Sequence, residues 1–424
     1  MKRILILTFF ALAILSGCKE SMDSLADRVF DVAAQQAILM DARLDDQTMP
    51  RSFDNNEFIS SKLTWWCSGF FPGSLWYIYK YTGDENIKSL AEKQTWKLEN
   101  IPDGKFDHDL GFQMNCSFGN AMRIGGDTLT YAPVLVRAAN ALATRYSPVT
   151  KVIRSWDNKK WTYPVIIDNM MNLELLTEGY RLSKIDSLMT IAQSHANTTM
   201  INHYREDVSC FHVVDYDPTD GHIIAKKTSQ GYADDSSWSR GQAWGLYGYA
   251  MMYDQTGVEE YLVHAEKIAK LLLGMLPEDG IPWWDFNAPD VPDALRDASA
   301  GAIMASGFQK LSTLTADKNL AKECAATAET QIRPWPEGHI EPSHRDRCRN
   351  RPPAGAAAAA VSPHCRHQGQ RRTRRPRHAY AGGDRVRRGT RLGRGFLYGV
   401  CVQHQPHGPR QLLHYRQGQR RGDL

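Results

Sequence analysis

The sequence predicts an all-α fold, a ring of helical hairpins of the (α/α)6 toroid type that is incomplete at its C-terminal end. Two observations predict it. Between residues 31 and 331, apolar residues recur three and four positions apart over long stretches, whereas the alternation typical of strands is scarce. In addition, one helix–turn–helix pattern returns at regular intervals along the same part of the chain.

The spacing of this pattern gives the size of the hairpin. Gly73, Gly245 and Gly307 each begin a similar apolar segment that ends at a turn; 62 residues separate the last two and 172, close to three times 57, the first two. A glycine after an apolar helix is a typical stop, and a polar residue beyond it can begin the next helix. Six such hairpins need about 350 residues. Residues 31–331 therefore hold a little over five, and we expect the ring to lack its last helices.

The N-terminus is typical of an export signal over residues 1–17. A cationic start precedes an apolar run at residues 4–15 that is too short to span a bilayer. Cys18 follows small residues, as in the lipobox of bacterial lipoproteins, where the cysteine is acylated; an ordinary secretory signal with an incidental cysteine is the alternative. We expect lipidation of Cys18, a tether over residues 18–30, and an exported protein on the periplasmic or outer-membrane side whose lipid anchor is its only membrane contact.

Residues 332–424 differ in composition from everything before them. They contain 20 arginines, no lysine and five acidic residues, a charge balance of +15, whereas the rest of the chain has a balance of −11. A nucleic-acid-binding arm, a solvated linker and translation in a shifted reading frame would each give such a segment. Export argues against a nucleic-acid partner, and the complete replacement of lysine by arginine favours the shifted frame. We predict an aberrant tail, frameshifted or disordered.

Polar and aromatic clusters recur with the period of the hairpin. Asp109 and Asp168 are 59 residues apart, and Gln230 follows after another 62. Each cluster is therefore predicted to lie near the start of an inner helix, and equal phase around a ring would gather the clusters at one rim. Helix capping explains an aspartate at one such start. It does not explain a rim that also carries His108, Arg240 and several tryptophans.

Two of these groups suit carbohydrate chemistry. Asp168 has apolar neighbours, and desolvation would raise its pKa towards that of a working acid, while a helix N-terminus would lower it, so the net shift stays open. Arg240 and Trp244, four residues apart, would present a cation beside a stacking plane. The cysteines have no metal-like spacing, so no metal site is predicted.

Five segments in chain order resemble one family. They are residues 107–112 (DHDLGF), 166–173 (IIDNMMNL), 210–212 (CFH), 230–245 (QGYADDSSWSRGQAWG) and 297–300 (DASA). Together they resemble the unsaturated glucuronyl hydrolases, glycoside hydrolase family 88, over roughly residues 35–330. The resemblance implies a six-hairpin glycosidase toroid. It also implies release of the 4,5-unsaturated uronic acid that polysaccharide lyases leave on glycosaminoglycan-type oligosaccharides, without a metal or organic cofactor.

The resemblance further implies a role for each matching residue. Asp168 would protonate C4 of the substrate's double bond and help water add at C5, with Asp109 as a second essential carboxylate; ordinary glycosidases instead use two carboxylates at the anomeric carbon. The substrate would be bound by His108, His212, Gln230, Arg240, Trp66, Trp156, Trp238 and Trp244, with Trp65 and Trp161 as competitors for the roles of Trp66 and Trp156.

Other functions stay open. Unsaturated rhamnogalacturonyl hydrolases share the fold and the key aspartate but act on pectin fragments, and a non-catalytic glycan-binding lipoprotein would use the same rim. A sugar epimerase on this toroid would rely on paired histidines, and the Asp168 motif argues against it. Nothing after residue 331 matches the stretch that closes the ring in the family. An unclosed ring leaves apolar helix faces without partners, which predicts a loss of stability or activity.

Overall fold

The computed structural model describes residues 20–54 and 57–333, and this part of the chain contains eleven α-helices. They are α1 (Met22–Asp41), α2 (Phe70–Thr82), α3 (Glu85–Trp96), α4 (Leu110–Met114), α5 (Thr128–Ala143), α6 (Asn169–Ser183), α7 (Asp186–Asn202), α8 (Ser239–Thr256), α9 (Glu259–Met275), α10 (Ala298–Ser312) and α11 (Lys318–Ile332). Two π-helical segments, Asn115–Gly119 and Ala121–Gly125, continue α4. None of these helices is long and apolar enough to cross a bilayer.

The helices after α1 form five hairpins arranged as the predicted toroid, which is confirmed. The hairpins pair α2 with α3, α4 with α5, α6 with α7, α8 with α9, and α10 with α11, and α8 packs against both α6 and α10. Every residue of α8 from Ser239 to Met252 is buried, whereas α9 buries one face only. The first helix of a hairpin is therefore an inner helix and the second an outer, amphipathic one. Arg333, after α11, donates to the backbone carbonyl of Glu20 at 2.8 Å, so the two ends of the described ring meet.

Local signals in the sequence encode the reversals between inner and outer helices. Gly83 and Gly257 end α2 and α8 in the left-handed conformation, both with a φ of +69°, as the glycine stops predicted. The side chains of Asp84 and Asp317 then accept backbone N–H bonds in the first turns of α3 and α11. Each hairpin can thus form from nearby residues before the ring assembles.

The predicted tether at residues 18–30 is wrong from Met22 onward, where α1 begins. Ser21 caps the helix, and Leu25 and Phe30 are only 2% and 3% exposed. Phe30 stacks on Tyr81 of α2 at 4.1 Å between ring centroids. The buried stripe of α1 otherwise consists mainly of alanines between charged residues, so its apolar period is weak in the sequence. The predicted signal peptide, Cys18 and residues 334–424 lie outside the described residues.

Three small antiparallel sheets lie in the connections between helices. They pair β1 (Thr48–Asp54) with β2 (Glu57–Lys62), β3 (Tyr146–Ser147) with β4 (Val152–Ile153), and β5 (Pro164–Ile166), β6 (Val213–Tyr216) and β7 (Ile223–Lys227) in the order β5-β6-β7. The three-stranded sheet matters for the site. Ile166, the last residue of β5, pairs with Val213, the first of β6, which pairs with Lys227 at the end of β7. One edge of this sheet therefore gathers three chain segments that continue into the site.

Candidate active site

Asp109 and Asp168 stand immediately before the inner helices α4 and α6, as the sequence predicts. Neither side chain makes a capping hydrogen bond, whereas Asp127 and Asp297, at the same position before α5 and α10, each accept one from the first helical turn. The capping explanation is therefore wrong for Asp109 and Asp168. Their carboxylates are available for another use.

A close approach of α4 and α6 holds the two aspartates in place. A Cβ atom on Gly111 would lie 2.5 Å from the Cα and 2.7 Å from the Cβ of Asn172, so only glycine fits. The side-chain oxygen of Asn172 accepts the backbone N–H of Phe112 at 2.7 Å across this contact. The starts of both helices are thereby fixed to each other, and the charge of Asp168 is close enough to raise the pKa of Asp109.

His108 presents a neutral imidazole to Asp109. Because the oxygen of Asn172 is occupied by Phe112, its amide group donates to Nδ1 of His108, 3.2 Å away, and the hydrogen-bond network assigns the imidazole proton to Nε2. Nε2 lies 3.4 Å from Oδ1 of Asp109. Burial, assisted by the charge of Arg145, lowers the pKa of His108 to about 3, so the ring is uncharged at neutral pH.

His212 repeats this arrangement beside Asp168. It directly precedes β6, and its Nδ1 accepts the backbone N–H groups of Ser229 and Gln230 at 3.0 and 3.2 Å, which again leaves the proton on Nε2. Nε2 lies 3.8 Å from Oδ2 of Asp168, and neither atom has a hydrogen-bond partner among the described residues. Burial, assisted by Arg240, lowers the pKa of His212 to about 3. Two neutral N–H donors therefore flank two carboxyl groups.

Both carboxyl groups have raised pKa values. Burial raises the pKa of Asp168 from 3.8 to about 7, although Arg240 and the Trp244 indole favour the ionised form. Burial, together with the charges of Asp107 and Asp168, raises the pKa of Asp109 well above its ordinary value. The side chains of Asp109 and Asp168 are still 14% and 11% exposed. The site thus combines a low-dielectric setting with access from solvent, and the shift that the sequence left open is upward.

Arg240 is held at the start of α8 by two oxygen acceptors. Its Nη1 donates to Oδ2 of Asp297 and its Nη2 to Oε1 of Gln230, both at 2.9 Å. The guanidinium lies over the Trp238 ring at 4.6 Å, and that ring packs on His212 at 4.5 Å. Gln230 is not near a helix start, as predicted, but in the loop after β7. It reaches the site because β7 ends at the shared sheet edge.

The four predicted tryptophans occupy different places. Trp156 borders an open cleft of about 540 Å³, and its ring meets those of His108 and His212 edge-on at 6.5 and 6.2 Å. Trp66 packs edge-on against Phe112, which contacts Trp244. Trp238 and Trp244 are only 4% and 1% exposed and shape the wall. Of the two competitors, Trp161 also borders the cleft, while the Trp65 ring is covered by Arg51.

Sequence reasoning assigned no role to Asn172 and Asp297. Asn172 orients His108, and Asp297 holds Arg240. Both had a signal in the sequence. Asn172 is four residues after Asp168, hence on the same helix face, and Asp297 is 57 residues, one hairpin, after Arg240.

A helical toroid whose rim holds buried carboxyls, neutral histidines and tryptophans is typical of a carbohydrate-active enzyme. The chain matches no protein-family model. It is 46% identical over 257 residues to an unsaturated glucuronyl hydrolase of Formosa agariphila, a match that covers 60% of this chain and 64% of the relative, just under two thirds of its length. An unsaturated chondroitin disaccharide hydrolase of Streptococcus pneumoniae is 32% identical over 72% of this chain and 78% of its own.

Solved structures agree with these relatives. An unsaturated glucuronyl hydrolase specific for heparin aligns with a TM-score of 0.69 and 38% identity over 72% of this chain and 82% of that one. A variant of the unsaturated glucuronyl hydrolase of Streptococcus agalactiae, solved with dGlcA-GalNAc6S, aligns with a TM-score of 0.61 and 28% identity over 72% and 77%. The chain belongs to the unsaturated glucuronyl hydrolase family of glycoside hydrolases.

Proposed function

We propose that this chain releases 4,5-unsaturated uronic acid from lyase-generated oligosaccharides of the glycosaminoglycan type. The observation that carries the proposal is Asp168, a carboxyl group with a pKa of about 7 beside a second carboxyl and two neutral N–H donors. A group with this pKa exchanges its proton readily at neutral pH, which an acid that later acts as a base requires. Relatives named as hydrolases of unsaturated glucuronyl and chondroitin substrates support the substrate class.

Asp168 would act first as an acid and then as a base. In its protonated form it donates a proton to C4 of the double bond, and the positive charge that develops at C5 is shared with the ring oxygen. Water then adds at C5 and gives its proton to the Asp168 carboxylate. The resulting hemiketal opens, and the glycosidic bond breaks. The acid is thereby regenerated, so no other proton source is needed.

The surrounding residues would hold the substrate for this step. Because burial and two neighbouring charges raise the pKa of Asp109, its carboxyl stays neutral beside an ionised Asp168 and donates to a substrate hydroxyl. His108 and His212 donate through Nε2. Arg240 supplies the positive charge for the substrate's carboxylate. Trp156 borders the cleft into which the rest of the oligosaccharide extends.

The test is an assay of Asp168→Asn on unsaturated disaccharides, followed by the loss of the ultraviolet absorbance of the conjugated uronate. We expect a loss of activity of about 10²–10⁴-fold, the usual contribution of an acid–base group. Asp127→Asn is the matched control, because Asp127 is exposed and asparagine caps a helix equally well. A fully active Asp168→Asn would contradict the mechanism. Turnover of unsaturated rhamnogalacturonan fragments in place of glycosaminoglycan fragments would favour the sibling class, and binding without turnover a glycan-binding lipoprotein.

We also propose that the protein is exported and anchored through an acyl group on Cys18, with its body on the periplasmic or outer-membrane side. The cationic start, the apolar run and the small residues before Cys18 support this. Since α1 begins at Met22, three residues separate the anchor from the helix, a reach of at most about 14 Å. Cys18→Ala should shift the protein from the detergent-soluble membrane fraction to the soluble fraction. Retention of the variant in the membrane fraction would refute lipid anchoring at this residue.

A further inference from the structure

The cleft beside the carboxyl pair contains two lysines that the proposed mechanism does not use. Lys105 lies in the loop before α4, and Lys160 in the connection between β4 and β5. Both border the cleft of about 540 Å³, together with Asp107, Trp156, Asp157 and Trp161. Lys160 is held over the Trp161 ring, with its ammonium 4.8 Å from the centroid. Two flexible cations therefore reach one cleft from opposite loops.

The acidic residues of the cleft do not neutralise these lysines. Asp157 is already paired with Arg145 at 2.8 Å and Arg154 at 3.3 Å, and its pKa is lowered chiefly by Arg145. Burial raises the pKa of Asp107, which favours its neutral form. Within the described part of the chain, no carboxylate lies within 4 Å of either ammonium. The cleft therefore has an excess of positive charge.

The position of the cleft gives the part of the substrate that would meet these charges. Trp156 borders the cleft and also contacts the rings of His108 and His212, which face Asp109 and Asp168. A sugar attached to a uronate bound between the two aspartates would extend past Trp156. The lysines would then face that following sugar and not the reacting ring.

We propose that Lys105 and Lys160 form an anion subsite that selects oligosaccharides with a sulfate or carboxylate group beyond the unsaturated uronate. The inference rests on the proposed function. Ammonium groups bind such anions as point charges, and an exposed ion pair contributes up to about 1 kcal/mol, or roughly fivefold in affinity. Two lysines together should give a preference on the order of 20-fold at low salt, which decreases as salt rises.

The experiment compares kcat/KM for an unsaturated disaccharide with and without sulfate on the second sugar, and for an unsulfated tetrasaccharide that offers only a further carboxylate. The proteins are the full chain, Lys105→Gln, Lys160→Gln and the double variant. Lys159→Gln is the control, since Lys159 is exposed and adjacent but does not border the cleft. We expect the ratio of sulfated to unsulfated kcat/KM to fall on the order of 20-fold in the double variant and to be unchanged in the control. A selective fall for the tetrasaccharide instead would assign the subsite to carboxylate.

Two results would overturn the subsite. One is a sulfate or carboxylate preference that the double variant retains. The other is an equal loss in Lys159→Gln, which would show a general effect of surface charge. Calorimetric binding of the same sugars to Asp168→Asn, with and without the lysine substitutions, needs no turnover. Lysine-dependent binding without hydrolysis by the full chain would refute the proposed function and support the subsite.

Discussion

Replacing Asp168 by asparagine should stabilise the fold above neutral pH while it abolishes turnover. The carboxyl group is buried beside Asp109 in a setting that disfavours its ionised form, and this raises its pKa from 3.8 to about 7. The asparagine amide has nearly the same shape as a neutral carboxyl group and does not ionise. The variant therefore removes the energetic cost of a buried negative charge, which the wild type bears whenever Asp168 is ionised.

The pKa shift gives the magnitude and sign of the effect. A rise of about three pKa units corresponds to about 4 kcal/mol between the two protonation states. The folded state favours the protonated form, so the free energy of unfolding is unaffected by this group below pH 3.8. It decreases as the pH rises from there to about 7 and is constant above. For a body of this size, 4 kcal/mol corresponds to a change in Tm of roughly 8 °C.

The assay is urea unfolding or thermal melting of the wild type and Asp168→Asn between pH 4 and 9. The difference in stability should be near zero at pH 4, grow through pH 5–7 and reach its maximum above pH 7.5. Asp127→Asn, whose carboxylate is exposed and caps α5, should show no such rise. A difference that does not vary with pH, or a variant less stable than the wild type at pH 8, would refute the assignment of a raised pKa to Asp168.

Three further predictions concern the same site and the tail. The kcat/KM of the wild type should fall as the pH rises above about 7, because the proton on Asp168 is then lost before it reaches substrate; a profile flat to pH 9 would exclude Asp168 as the acid. Gly111→Ala should cost about 1–3 kcal/mol and most of the activity, since its Cβ would meet Asn172, whereas Gly274→Ala, with open space around it, should be neutral in both measurements. Resequencing the codons for residues 320–340 should reveal a shifted frame, and relatives with a basic tail in a clean frame would end that proposal.

The periodicity of the chain predicted the fold because each hairpin is encoded locally. The glycine stops at Gly83 and Gly257 and the spacing of Asp109 and Asp168 depend on residues close in the chain, and the structure places all four at helix ends. The three-stranded sheet was missed, since its strands have only three to five residues and pair across more than 40 positions. Gln230 was misplaced for the same reason.

The protonation of the site was beyond sequence reasoning because it depends on which atoms are already occupied. His108 and His212 are both neutral with a proton on Nε2, but one is oriented by an asparagine that Phe112 fixes and the other by two backbone N–H groups of a loop. Neither arrangement follows from the residues next to the histidine. Each arises from groups that the fold brings together from about 20 to 60 positions away.

Six aspartates before helices show how one sequence signal leads to two outcomes. Asp84, Asp127, Asp297 and Asp317 have extended backbones, with ψ between 82° and 112°, and their side chains accept N–H bonds from the first helical turn. Asp109 and Asp168 have ψ values of 0° and −26°, close to helical, and make no capping bond.

A near-helical backbone turns the carboxyl away from the helix N–H groups that would otherwise bind it and lower its pKa. The side chain is then left to the cavity, where burial raises its pKa. Composition and spacing are alike in the two groups, so the sequence alone could not separate caps from candidate acids. The backbone dihedral that separates them is set by the packing of α4 on α6 at Gly111 and by the entry of the chain from β5. A backbone in the extended region at Asp168, with its carboxyl bonded to the first turn of α6, would remove the physical basis for the proposed acid.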